Sequence, residues 1–396
     1  MRILLATNAS YIPTRGGATR ANRAWLERLA SHGHSCQVIT SAASIATEFK
    51  RQQLQNEVSA EGILEDIAST TAGDSVFWNG VEVCHAPQQA GIVSQMEQAV
   101  RSYSPDWILI SSEDFGQARL RIAQRLAPGK IVYLAHTPQF LPFGSESLNS
   151  NAIGARAIAD AAGVVVIGEY MRKYCQDFLQ KEVLVAHPPI YGIGPFANYG
   201  ASNKGFITMI NPCGVKGLSI FLAIAARFPG LQFAVLPGWG TTPGDIENIS
   251  RAGIRILPPC RNIDDVLSKT RVLLVPSLWS EGFGLIVVEA MLRGIPVVTS
   301  NLGGLPEAKM NTAHILTVIP IDKYLPIRDE HLMPIPEIPQ QSIDPWVSIL
   351  GELTDSDTLY GIASRDARSA ALRFVESVDF DRLESALSTR LCSKAT

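Results

Sequence analysis

Charge is scarce in this chain of 396 residues: Asp, Glu, Lys and Arg together make 18% of it, and the formal net charge is −3. The lysines and arginines are scattered rather than striped, so the electrostatic footprint of a nucleic-acid binder is missing. Six cysteines (Cys36, Cys84, Cys175, Cys213, Cys260, Cys392) stand far apart with no CxxC pair. That spacing suggests neither a zinc site nor a disulfide framework, and leaves reduced, cytosolic thiols. No apolar run approaches the roughly 18 residues that suggest a membrane-spanning helix. The opening MRILLATNAS carries too short an apolar run for a signal peptide and reads as a first core strand. A cytoplasmic chain without a transmembrane segment is expected, with peripheral membrane contact left open, although no strong amphipathic basic helix is found. No cluster of His, Asp or Glu has metal-ligand spacing, and no DxD pair marks a metal-diphosphate site, so no metal is expected. No GxGxxG follows the first strand, where TNASYIPTRGG stands instead, and this counts against a dinucleotide oxidoreductase.

Hydrophobic residues nevertheless make 46% of the chain, and the mean hydropathy is +0.12, the composition of a folded globular protein. The length exceeds what one core organises, so two domains of roughly 150 to 200 residues are expected. RILLATNAS, the loop YIPTRGG, the segment ATRANRAWLERLASHGH and SCQVITS read as strand, loop, helix and strand. Trp25 and Leu29, four apart beside Leu26 and Ala30, give the helix its apolar face. Residues 41–74 read as polar, helix-prone decoration without a clear strand, and Asn79-Gly80 within VFWNGVEVC signals a hairpin. DWILIS, KIVYLAH and GVVVIG continue the alternation of a parallel sheet. Between His187 and Gly205 glycine and proline cluster as a linker. The alternation then restarts with GFITMINP, LQFAVLPG, IRILPP, RVLLVPS and IPVVTS. Dense proline from 320 to 345 predicts an irregular surface loop, followed by helices. The fold class is therefore α/β, with two Rossmann-like doubly wound parallel-sheet domains. The expected boundaries are 1–190, 205–375 and a C-terminal helix, 376–396, packing back towards the N-terminal domain. A ligand cleft is expected between the domains, near the carboxyl ends of the strands.

Chemistry concentrates in RVLLVPSLWSEGFGLIVVEAMLRG, where a buried strand ends, a loop carries Glu281 to Gly284 and a helix begins near Leu285. Glycines let backbone approach a ligand, and a helix start suits phosphate. Glu281 and Glu289 would lie ~12 Å apart along a fully helical span, a length comparable to a nucleotide sugar from sugar to ribose. The plainer alternative makes Glu281 a helix-start acid and Glu289 a satisfied core residue, although a carboxylate amid Val287, Val288, Ala290 and Met291 needs partners. Lys216 in NPCGVKGLSIFL opens a helix and is either a phosphate-neutralising ammonium or a solvated charge. His136 ends the strand in KIVYLAHTPQ and is either a site residue or a core histidine. His32 and His34, in the turn SHGHS, read as structural.

Two Rossmann halves with EGFGLIVVE followed by AMLRGIPVVTSNLGGLPE resemble, over nearly the whole chain, the retaining GT-B glycosyltransferases of the large family four. The resemblance implies a hexosyltransferase-class enzyme moving a sugar from a nucleoside diphosphate sugar, UDP being the expected nucleotide, to a hydroxyl of a small-molecule, glycan or lipid-linked acceptor. It implies Glu281, Lys216 and His136 as the catalytic set. Glu289 would hold the ribose, while Gly16, Gly17 and the amides of Phe283, Gly284 and Leu285 would hold phosphate and sugar, with no cofactor beyond the donor. The family's arginine five residues before the lysine is Asn211 here, and Arg15, Arg20 and Arg261 are the candidate replacements. Two alternatives stand beside this reading: a non-catalytic nucleotide-sugar-binding member and a Rossmann-type oxidoreductase.

Overall fold

The computed structural model describes residues 1–12, 14, 16–40, 67–70, 73–85, 91–200, 204–260, 262–329 and 333–392. Most of the segment 41–74 therefore lies outside the described residues, but its described end corrects the expectation of no strand: Ile67–Thr70 is a strand paired antiparallel with the one that begins at Gly73. The chain forms two compact units, one of Met1–Ile190 with Asp379–Thr396 and one of Tyr191–Val378.

Unit 1 holds strands β1 (Arg2–Ala6), β2 (Ser35–Thr40), β3 (Ile67–Thr70), β4 (Gly73–Trp78), β5 (Val81–His85), β6 (Trp107–Ser111), β7 (Ile131–Ala135), β8 (Gly163–Val166) and β9 (Leu184–Val185). They make one sheet in the order β3-β4-β5-β2-β1-β6-β7-β8-β9. From β5 to β9 every pairing is parallel. Every residue of β6, β7 and β8 is buried, as strands covered on both faces require. The hairpin joining β4 to β5 turns at Asn79 (φ 46°) and Gly80 (φ 76°). Two consecutive positive φ angles define the type I′ turn that an Asn-Gly pair favours. Helix α1 (Gly17–Ser31) follows β1 and buries Ala21, Asn22, Trp25, Leu26 and Leu29 along one face. Burying its tryptophan and two leucines contributes about 2–3 kcal/mol each.

Unit 2 holds β10 (Phe206–Ile210), β11 (Phe233–Leu236), β12 (Arg255–Ile256), β13 (Thr270–Val275), β14 (Val297–Ser300) and β15 (Ile315–Leu316), in the order β12-β11-β10-β13-β14-β15. All pairings are parallel. In each sheet the winding reverses once, between β1 and β6 in unit 1 and between β10 and β13 in unit 2. Ligands of doubly wound sheets bind outside the carboxyl ends of the strands at such reversals.

Two expectations change. The proline-dense stretch is not irregular throughout: Tyr324–Arg328 (β16) and Pro334–Pro336 (β17) pair antiparallel as a separate ribbon. A two-stranded ribbon has only edge strands, where proline costs no ladder hydrogen bond. The stretch read as a linker is fastened to unit 2 from residue 196 to 200. Tyr199 and Gly200 N–H both donate to Arg293 O, at 2.8 and 3.1 Å. The Arg368 guanidinium donates to Phe196 O and Ala197 O at 2.7 and 2.9 Å.

Candidate functional site

Lys216 and Glu281 occupy the two sides of the reversal in unit 2. After β10, residues Gly214–Lys216 make a 3-10 turn that runs into helix α2 (Leu218–Arg227). Gly217 joins them at φ 83°, and a Cβ there would lie 1.9 Å from Pro276 O. Only glycine lets this turn close on the end of β13. Leu278 N–H donates to Val215 O at 2.9 Å and fixes the same approach. The result is a charge pair: Lys216 Nζ lies 2.6 and 2.7 Å from the two oxygens of Glu281. Both side chains are 16% exposed. Ser277 Oγ donates to Glu281 Oε1 at 2.6 Å, and Trp279 Nε1 reaches the same atom at 3.4 Å. Lys216 Nζ also sits 4.8 Å from the Trp279 ring centroid, a cation–π contact. Desolvating two charges is repaid only where geometry and extra hydrogen bonds are good, and here each supports the other.

Downstream, Gly284 takes φ 113° and caps helix α3 (Leu285–Leu292). Phe283 and Leu285 are buried, and Phe283 stacks on Phe374 at 5.8 Å. Their side chains belong to the core, so any role towards a ligand falls to their backbone groups. Glu289 is buried at 2% exposure in a helix that is apolar nearly all round. Asn211 explains itself differently from an arginine. It has φ 56°, is 8% exposed, and its Oδ1 accepts the Gly240 N–H at 2.9 Å. It is a loop fastener, not a phosphate cation. Of the candidate replacements, Arg20 lies in the first turn of α1, whereas Arg15 and Arg261 lie outside the described residues.

The reversal in unit 1 gathers a second polar group. Gly16 (φ 106°) and Gly17 start α1. From α1, Asn22 Nδ2 donates to Ser111 Oγ at 2.9 Å, and its Oδ1 meets His136 Nε2 at 2.8 Å. That assignment makes Nε2 the protonated nitrogen and leaves Nδ1 an acceptor, and Nδ1 is buried without a partner among the described residues. Burial lowers the imidazole to about 3, so His136 is neutral. Ser111 Oγ donates to Glu113 Oε2. The other carboxyl oxygen, Oε1, is shut away from solvent with no partner among the described residues, and burial pushes this carboxyl up to about 7. Such unsatisfied buried groups are rare and call for an explanation.

Sequence reasoning missed Ser277, Trp279 and Trp239 in unit 2 and Asn22, Ser111 and Glu113 in unit 1. The aromatic and hydroxyl residues just before EGFG, and the polar run SSED closing β6, were the available signals. It also missed a convergence of His32, Asp381 and Glu384, the one such His and carboxylate group among the described residues. His32 Nδ1 and His34 Nε2 lie 2.5 and 2.8 Å from the Glu384 carboxylate, while Arg28 grips Asp381. Its partners stand about 350 positions apart, which no spacing rule detects. This group lies at the opposite end of α1 from Gly16 and ties helix α4 (Arg382–Cys392) to that end.

Residues 205–322 match the family model described as glycosyl transferases group 1. Over 114 residues the chain is 33% identical to the D-inositol 3-phosphate glycosyltransferase of Mycolicibacterium paratuberculosis, covering 26% of this chain and 25% of that protein. Over 105 residues it is 32% identical to the alpha-maltose-1-phosphate synthase of Mycolicibacterium smegmatis, covering 23% and 27%. The chain thus matches about a quarter of the length of these relatives. Among solved structures, sucrose-phosphate synthase from Thermosynechococcus elongatus superposes with a TM-score of 0.68 at 14% identity, covering 100% of both chains. HepE of Anabaena, solved with UDP-glucose, gives 0.64 at 16%, covering 99% of this chain and 100% of its own. The fold is GT-B, built of two Rossmann-like units. Among the described residues no helix is long and apolar enough to cross a membrane.

Proposed function

With residues 205–322 matching the glycosyl transferases group 1 as premise, we propose that this chain transfers a hexose from a nucleoside diphosphate sugar to an acceptor hydroxyl, with retention at the anomeric carbon. The observation that carries this reading is the Lys216 ammonium held on both oxygens of Glu281 at the sheet reversal of unit 2. When the bond from the anomeric carbon to the phosphate oxygen breaks, negative charge grows on the departing diphosphate. A fixed ammonium and the backbone amides near Gly284 stabilise that charge without reorganising. Glu281 then positions the sugar, Glu289 holds the ribose, and the leaving phosphate takes the acceptor's proton. In unit 1 the reading assigns Gly16 and Gly17 to phosphate and His136, as a neutral acceptor of a hydroxyl proton, to the sugar. UDP is the proposed nucleotide, and HepE, a fold neighbour, is solved with UDP-glucose. No metal is assigned a part, so EDTA should leave turnover unchanged.

A thermal-shift panel of UDP, GDP, ADP and TDP should show stabilisation by at least one, of about 2–3 kcal/mol at a hundredfold excess over Kd. The sugar form of that nucleotide should be consumed when cell extract supplies acceptors, with mass spectrometry reading the product. No shift by any nucleotide, with none of their sugars consumed, would sink the enzyme reading. Glu281→Ala and the shape-preserving Glu281→Gln should abolish transfer with circular dichroism unchanged. Asn211, in place of a second phosphate cation, favours the alternative of a non-catalytic binder. A shift without sugar consumption would decide for it.

A further inference from the structure

The loop after β11, PGWGTTPG, is pinned by side-chain hydrogen bonds on both sides of Trp239. Asn211 Oδ1 accepts the Gly240 N–H, and Thr241 Oγ1 accepts the Gly238 N–H at 3.0 Å. A Cβ on Gly238 would lie 2.6 Å from Asn211 Oδ1, so the loop is wedged against the start of the Lys216 turn. The next helix adds a capping box, Thr242 with Asp245. What this rigid loop presents is Trp239. Its ring lies 5.8 Å from that of Trp279, tilted by 32°. Trp279 in turn touches both charged groups of the site. Trp239 thus stands one ring away from the charged pair that holds the ligand in the reading above.

The geometry points to Trp239 as the stacking wall for the hexose of the donor, kept in position by Asn211; this rests on the glycosyltransferase reading above. The face of an indole is electronegative, so it repels a diphosphate and favours the C–H face of a neutral sugar ring. Asn211, where an arginine is expected, therefore trades a phosphate contact for a fixed sugar platform. Trp239 would be a donor-binding residue, and Asn211 a positioning residue acting through it.

Calorimetric titration of the full chain with UDP-glucose, GDP-mannose and ADP-glucose, each against its bare diphosphate, tests this. Trp239→Ala should weaken the sugar nucleotide that the wild type binds by about tenfold, the size of one aromatic contact. The bare diphosphate should change by less than about twofold, and Trp239→Phe should recover most of the loss. Asn211→Gly keeps the positive φ but drops the fastening, and should copy the Trp239→Ala selectivity. Asn211→Asp still accepts the Gly240 N–H and should restore it. Equal weakening of nucleotide and sugar nucleotide, or no weakening of either, would overturn the assignment to Trp239 alone. Binding of none of the six compounds by the wild type would overturn the glycosyltransferase reading and this one with it.

Discussion

Glu113 and His136 close the same hydrogen-bonded chain in unit 1, and their protons respond to pH with opposite sign. Burial raises the Glu113 carboxyl from 4.5 to about 7. The folded chain thus keeps a proton that the unfolded chain releases, and its advantage is full below about pH 4.5 and given up as pH rises through about 7. The contribution at stake is about 3 kcal/mol. Burial lowers His136 from 6.5 to about 3, so its contribution is present above about pH 6.5 and lost as pH falls towards 3. Glu113→Gln keeps the shape without the titration and leaves His136 as it was. The wild-type urea midpoint should therefore fall relative to the variant's between about pH 5 and 7.5 and run parallel above that. Parallel curves over the whole range would mean that the carboxyl is solvated.

At the scale of elements, the Lys216 turn depends on the contact between Gly217 and Pro276. Gly217→Ala combines a left-handed backbone with a backbone clash and should cost about 2–4 kcal/mol in urea unfolding. It should also remove any nucleotide-induced thermal shift, and a variant with unchanged stability would show that the turn is slack. Much at this scale was legible beforehand. The spacing of Trp25 and Leu29 gave the face of α1, Asn79-Gly80 gave the hairpin, and EGFG before LIVVEAML gave the loop and buried helix. The proline-dense stretch misled because proline density reports missing N–H donors, and a ribbon made only of edges does not need them. The attachment of residues 196–200 depends on Arg293 and Arg368, far along the chain and unmarked by local pattern. At the candidate site Glu281 and Lys216 could be named, but their direct pairing could not. Asn211 looked like a missing cation because its partner, the Gly240 amide, is backbone and leaves no trace in composition.

At the scale of the whole molecule, the chain enters unit 2 at Tyr191 and is back in unit 1 from Asp379. The returning segment is part of unit 1's interior. Leu383 and Leu387 are 3% and 1% exposed, and Leu387 O accepts the Trp107 indole N–H at 3.1 Å. Phe380 and Leu383 line a narrow gap with Trp25 and Leu29 of α1. A chain stopped after Val378 should lose about 4 kcal/mol from the two leucines and about 1 kcal/mol more from the hydrogen bond of Trp107 to Leu387. Amide exchange along α1 and β6 should accelerate, with β10 and β13 slow as before; unchanged exchange in α1 would refute the role given to the segment. The same threading sets an order in time. Unit 1 is begun before unit 2 on the ribosome yet finished after it, and residues 191–378 between its two parts take ~10–40 s to make at ordinary elongation rates. For that interval β6 and α1 wait with Trp107 and Trp25 uncovered, and whatever shields nascent apolar surface in the cell must attend to the older half of the protein while the younger half folds.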